Sequence, residues 1–318
     1  MLSKTNQMKE LKINENDSNQ RFDKFLKRVL SEASTSFIYK MLRKKNITLN
    51  DKKADGSEKL NTGDVVKIWF SDETFEKMSG GEKSDPLYHS LKSIASDINI
   101  IHEDNDMIII NKPSGIKSQK DSEDDISINE MAISYMIKKG ELSEESFKHF
   151  HPSICNRLDR NTSGLILFAK NLPCAQKLGK ALKERSCIKM YRAIVLGDIK
   201  EPQEIDGYLS KDEATNKVTI SSKPSDDSKP IQTAYRPIKK LANDMTLIEI
   251  HLITGRTHQI RAHLASIGHP ILGDNKYGNT IINKKYKIKG QLLHAYSIEF
   301  EDGEKYVADL PGEFNVYI

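Results

Sequence analysis

The chain has little of what marks several protein classes. Its 318 residues include three cysteines, Cys155, Cys174 and Cys187. They are odd in number, without CxxC spacing or a histidine pair at zinc-finger distance. That excludes a disulfide framework and a structural zinc site, fits a reducing compartment, and leaves them as small buried hydrophobes. No apolar run approaches the ~18 residues needed to cross a bilayer, and the first twenty residues lack the apolar core of a secretory signal. A cytoplasmic protein without membrane attachment is expected. With 17 Gly and 10 Pro the composition is not collagenous, and 37% hydrophobic residues is too apolar for wholesale disorder. No GxGxxG follows a strand, neither GxxxxGK[ST] nor HExxH occurs, and His258 and His263, five apart, do not align two ligands on one helix face. Neither a nucleotide cofactor nor a metal is expected.

The length suits two domains, a catalytic core and a smaller module. The net charge is only +4, but it is uneven: residues 1–70 hold 15 Lys and Arg against 9 Asp and Glu, so they carry +6 and the remainder −2. In that stretch Phe22, Phe25, Leu26 and Val29 share one helix face, and a second helix opens at Ser34 or Thr35 with Ile38, Met41 and Leu42 inward. Lys40, Arg43, Lys44 and Lys45 occupy the outer face and end of this second helix. Strands are expected at Ile47–Asn50 and Val65–Phe70, with turns at Asn50-Asp51 and Thr62-Gly63-Asp64. Alone, such a charge run is a solvated helix face. Concentrated at one edge of a helix pair and hairpin, it is a place for RNA phosphates to dock and release counterions. Arg21-Phe-Asp-Lys-Phe-Leu, the basic helix end and Gly63-Asp64-Val-Val resemble the small αL RNA-binding motif. We assign residues 1–19 to a flexible N-terminus, 20–72 to this module and 73–96, with Ser79-Gly-Gly-Glu and Pro86, to a linker.

Residues 97–318 form the second expected domain. It is β-rich without regular βα alternation, with strands legible at 165–169, 190–196, 217–221, 246–252 and 297–300 and helices near 127–139, 175–185 and 258–267. The fold class is α+β with a mixed, largely antiparallel sheet. Two segments stand out. Asn156-Arg-Leu-Asp-Arg-Asn-Thr-Ser-Gly164 sets one carboxylate, Asp159, between Arg157 and Arg160 on a loop entering an apolar strand. Thr254-Gly-Arg-Thr-His-Gln-Ile-Arg-Ala-His263 opens a helix with Thr257 as the expected cap, burying Ile260, Leu264 and Ile267 beside Arg261. Taken singly, Asp159 is a surface acid paired with a neighbouring arginine, the second segment a basic helix start, and Tyr191 a buried structural aromatic.

Together these segments resemble a known family. Arg157-Leu-Asp-Arg-Asn-Thr-Ser-Gly164, Lys189-Met-Tyr191, Thr254–Leu264, Gly268–Asp274 with Tyr277-Gly278, and Leu293-His-Ala295 occur in the order found in RluA-type pseudouridine synthases. Lys112-Pro-Ser-Gly115 is similar to that family's opening strand motif. One position departs: Asn156 stands where the family usually has His. The resemblance implies isomerisation of uridine to pseudouridine in RNA without cofactor, with large-subunit ribosomal RNA as the expected substrate, transfer RNA as the alternative, and a monomeric enzyme. It implies Asp159 as the catalytic aspartate, Arg261 as its ion partner and Tyr191 as the aromatic against the flipped base. Arg157, Arg160, Arg256 and His258 are implied in phosphate or base contacts, and Lys40, Arg43, Lys44 and Lys45 in RNA binding. A non-catalytic RNA-binding protein of the same fold is the competing reading. A glycosidase would in most families need a second, opposed carboxylate.

Overall fold

In a computed structural model, which describes residues 8–80, 85–122, 125–212 and 214–318, the chain opens on a strand. β1 (Lys9–Lys12) pairs antiparallel with β4, so residues 8–19, expected to be flexible, are ordered in part. Alternation of Lys9, Leu11 and the fully buried Ile13 with polar residues supplies the strand pattern. α1 (Phe22–Val29) and α2 (Thr35–Arg43) follow, and Phe22, Phe25, Leu26, Ile38 and Leu42 are each at most 1% exposed. Ser34 caps α2 by accepting from Phe37 N at 3.2 Å. β2 (Ile47–Leu49), β3 (Lys52–Lys53) and β4 (Val65–Ile68) complete a four-stranded sheet in the order β1-β4-β2-β3. Asn50 and Asp51 both have positive φ, the conformation of a tight hairpin turn.

The stretch expected to be a linker contains two helices, α3 (Asp72–Ser79) and α4 (Pro86–Ser93); residues 81–84 lie outside the described residues. Ser71 and Asp85 cap them, Pro86 sits where its missing N–H costs nothing, and Phe75 and Met78 pack on the first core. Among the described residues, Ser71 and Asp85 of this stretch are helix caps and Gly80, φ +82°, ends α3.

The remaining elements are β5 (Ile100–Glu103), β6 (Met107–Lys112), α5 (Ile128–Lys139), α6 (Glu144–His149), β7 (Ser153–Ile154), β8 (Ser163–Ala169), α7 (Leu172–Glu184) and β9 (Ile188–Leu196). Then come β10 (Gln203–Asp212), β11 (Lys217–Ser221), β12 (Lys229–Leu241), β13 (Met245–Leu252), α8 (Gln259–Ser266), α9 (Thr280–Tyr286), β14 (Leu293–Glu299), β15 (Lys305–Val307) and α10 (Gly312–Asn315). Among the described residues these strands form one eleven-stranded sheet, ordered β11-β10-β12-β13-β9-β14-β8-β6-β5, with β15 on β14 and β7 on β8. β8 runs parallel to β14 and the other registered pairs are antiparallel. The fold is α+β with a mixed, largely antiparallel sheet. The parallel β8–β14 contact requires glycine: a Cβ at Gly164, φ +108°, would lie 2.3 Å from Ala295 O.

The chain divides into two units. The first holds the residues up to 96 with 133–153 and 169–177; the second holds 97–132, 154–168 and 178–318. Among the described residues no helix is long and apolar enough to cross a membrane.

Candidate active site

The Asp159 loop is pinned on both sides of its carboxylate. Ahead of it, Asn156 imitates a strand residue: its Nδ2 donates to Leu165 O at 3.2 Å and its Oδ1 accepts from Leu167 N at 2.7 Å. Ser118 Oγ then clamps Leu158, donating to its carbonyl at 2.7 Å and accepting from its N–H at 2.9 Å. Behind it, Arg160 O accepts from Gly115 N at 2.9 Å and from Lys112 Nζ at 3.1 Å. Lys112 is fully buried, and burial lowers its pKa to about 7. Its ammonium also donates to Pro113 O and Ile116 O, at 2.9 and 2.8 Å. Three carbonyls thus take all three ammonium protons and favour the charged form.

The second segment is held by Gln259, 2% exposed. Its Oε1 accepts from Arg256 N and Thr254 Oγ1 at 3.1 and 2.9 Å, and its Nε2 donates to Gln232 O and Thr233 Oγ1, both at 3.0 Å. Two expectations are corrected here. The N-cap of α8 is His258, at φ +54° and without a side-chain cap bond, rather than Thr257. Ile267 is 37% exposed, beyond the last helical residue, so the buried stripe is Ile260 and Leu264.

α8 directs Arg261, 8% exposed, between two acids. Nη1 donates to Asp159 Oδ2 at 2.7 Å; Nε and Nη2 grip Asp274 in a fork at 2.7 and 2.9 Å. Burial pulls the guanidinium down, but the bonds and charges of Asp274 and Asp159 outweigh it and raise its pKa. Asp274 is itself fully buried. Burial lifts its carboxyl, and the Arg261 fork, with N–H bonds from Tyr277 and Lys276 at 3.0 and 2.8 Å, brings it below its ordinary value.

His258 Nε2 stands 3.8 Å from Asp159 Oδ1, and its Nδ1 is 3.0 Å from the Tyr277 hydroxyl. Val218 N donates to that hydroxyl at 2.9 Å, which frees the phenolic proton for Nδ1 and leaves Nε2–H toward the carboxylate. Burial lowers the His258 pKa, Arg261 adding to it and Asp159 opposing, so the ring is neutral at pH 7. Tyr191 lies in β9 between Ile250 and Ala295, 8% exposed. Burial foremost, then the Asp159 charge, raises its phenol above the usual range.

Asp159 therefore meets Arg261 and His258, and Tyr191 is near enough for the Asp159 charge to act on its phenol. The ion partner of Asp159 is Arg261, 102 residues away, rather than its chain neighbours: Arg160 is exposed and donates to Gly115 O at 2.9 Å, and Arg157 and Arg256 are exposed. Lys40, Arg43, Lys44 and Lys45 are exposed residues of the first unit. Asp274, Tyr277, Gln259 and Ser118 were not singled out from the sequence. Asp274 and Tyr277 lie within a motif that carries the family resemblance; Ser118 has no local signal at all.

The pattern has known counterparts. The sequence profile of the RNA pseudouridylate synthases matches residues 106–266, and that of the S4 domain residues 20–66. The ribosomal large subunit pseudouridine synthase C of Rickettsia felis is 38% identical over 283 residues, 87% of each chain. Its namesake from Rickettsia conorii is also 38% identical, over 87% of this chain and 88% of that one. Among solved structures, human RNA pseudouridylate synthase domain containing 4 superposes with a TM-score of 0.56 at 22% identity, covering 72% of this chain and 93% of the human one, a likeness of fold. With the synthase profile over residues 106–266, an S4 domain ahead of it and relatives 38% identical over 87% of its length, the chain belongs to the RNA pseudouridylate synthase family.

Proposed function

We propose that this enzyme isomerises uridines of large-subunit ribosomal RNA, acting as a cytoplasmic monomer, and that Asp159 is its catalytic carboxylate. The observation that carries the site reading is the Arg261 bridge: a partly exposed acid is joined at 2.7 Å to a buried guanidinium that a second acid anchors. The names of the relatives support the choice of RNA. In the reaction the N1–C1′ bond of uridine breaks, the freed uracil turns, C5 bonds to C1′, and the C5 proton leaves while N1 gains one. Nothing is oxidised and no group departs. Asp159 acts on the ribose, as nucleophile at C1′ or as base, and the buried Arg261 guanidinium fixes its position through the bond to Oδ2. Tyr191 stacks on the extruded uracil and assists proton removal at C5. His258, Arg157, Arg160 and Arg256 contact phosphate or base, and Lys40, Arg43, Lys44 and Lys45 of the 20–72 module hold RNA backbone for the 97–318 domain.

Purified protein is expected to form pseudouridine in large-subunit RNA without added cofactor, and Asp159→Asn to lose at least about 10³-fold in rate while still binding RNA. Full activity of Asp159→Asn would overturn the assignment, and unchanged ribosomal pseudouridine maps in cells lacking the protein would overturn the substrate.

A further inference from the structure

The outer face of the small sheet carries a feature the catalytic reading does not use. Val66, Ile68 and Phe70 are buried in the first core, so the alternating residues Lys67 and Trp69 turn the other way. Register places Glu10 and Thr48 opposite Lys67, and Lys53 opposite Thr48, on that same outer face. Trp69 is the chain's one tryptophan, and it is 44% exposed. Its backbone N–H donates to Asn46 O at 2.8 Å, the residue that follows the exposed run Arg43-Lys44-Lys45.

Charge on this face is unevenly answered. Lys67 pairs with Asp51 at 2.7 Å and Glu10 is a second acid, while Arg43, Lys44, Lys45 and Lys53 make no ion pair among the described residues. A half-exposed indole leaves apolar surface in water unless something covers it. Among these cations, the cover of matching chemistry is a nucleobase, whose π face stacks on the ring while its phosphates meet the charges.

We propose that Trp69 is a stacking platform for an unpaired base of the RNA, with Arg43, Lys44, Lys45 and Lys53 holding the flanking phosphates. This rests on the first unit binding RNA, as proposed above, and adds single-stranded selectivity to it. Because Trp69 is the sole indole beside 11 tyrosines, emission excited at the red edge, where tyrosine does not absorb, reports on this position alone. Titration with a single-stranded oligouridine of about ten nucleotides is expected to quench it saturably, and a fully paired duplex of equal length to leave it unchanged. Trp69→Ala is expected to weaken single-strand binding roughly tenfold, within the range for loss of one base–aromatic stack, and Trp69→Phe to restore most of it. Binding of the oligonucleotide that depends on Lys44, read by anisotropy with Lys44→Glu, but without quenching overturns the stacking platform and spares the RNA reading. Binding indifferent to both residues overturns both. Should Trp69→Ala not fold, wild-type emission and Trp69→Phe decide the question.

Discussion

At the scale of single residues, Asp274 governs how firmly the guanidinium that meets Asp159 is held. It meets Arg261 through two bonds while Asp159 has one. Neutralising it in Asp274→Asn leaves a buried cation half compensated, which is expected to cost about 3 kcal/mol of stability and more than tenfold in rate. The pH dependence follows from the direction of the shift. The folded-state pKa of Asp274 is depressed, so its contribution is complete above the unfolded value of about 3.9 and is lost as pH falls through the folded one. Chemical denaturation is expected to show a constant gap between wild type and Asp274→Asn at neutral pH, closing below about pH 4. A gap that persists undiminished into acid would contradict the charge argument.

At the scale of elements, Asn156 stitches the loop to β8 where the family usually carries histidine. Asn156→Ala strands Leu165 O and Leu167 N, both from buried residues. A loss of about 2 kcal/mol is expected, read from the urea midpoint, with reduced activity because the segment bearing Asp159 loosens. Equal stability would mean the strand end is secured by Cys155 N to Leu167 O, at 2.7 Å, on its own. Elements differ in how legible they are. The helix faces of α1 and α2 and the strands β8, β9, β11 and β13 could be read because their apolar residues repeat at the right period. β10 and β12 could not: β12 carries Pro230, Pro237 and three lysines and shifts register between Pro237 and Lys239, so tertiary pairing overrides its composition. Thr257 failed as a cap because the helix starts one residue later, from His258 in a left-handed conformation that no local rule registers. The long-range ion pair was legible only through the family motifs, since nothing near Asp159 in sequence announces a partner 102 residues on.

At the scale of the whole molecule, charge is the accessible variable. Replacing Lys40, Arg43, Lys44 and Lys45 by Gln is expected to weaken RNA binding across sequences. It should also flatten the plot of log affinity against log salt by about one for each phosphate that is no longer neutralised. An unchanged slope would exclude these four from the interface. Removing the residues before 97 outright would be a poorer test. The first unit includes α6, whose Phe147 is 1% exposed and lies 5.8 Å, ring to ring, from Tyr88, while Asn16 Oδ1 accepts from Leu172 N at 3.1 Å. A deletion would therefore open a core rather than detach an appendage.

The forked grip on Arg261 has a last consequence for turnover. On the proposed role of Asp159, bonding to carbon or taking up a proton would neutralise it, and an ordinary two-member pair would then leave Arg261, 8% exposed, as a bare buried cation. Here Asp274, bonded to the same guanidinium through two contacts, would stay behind as its counter-charge, so the partner outlasts each change in the acid it serves.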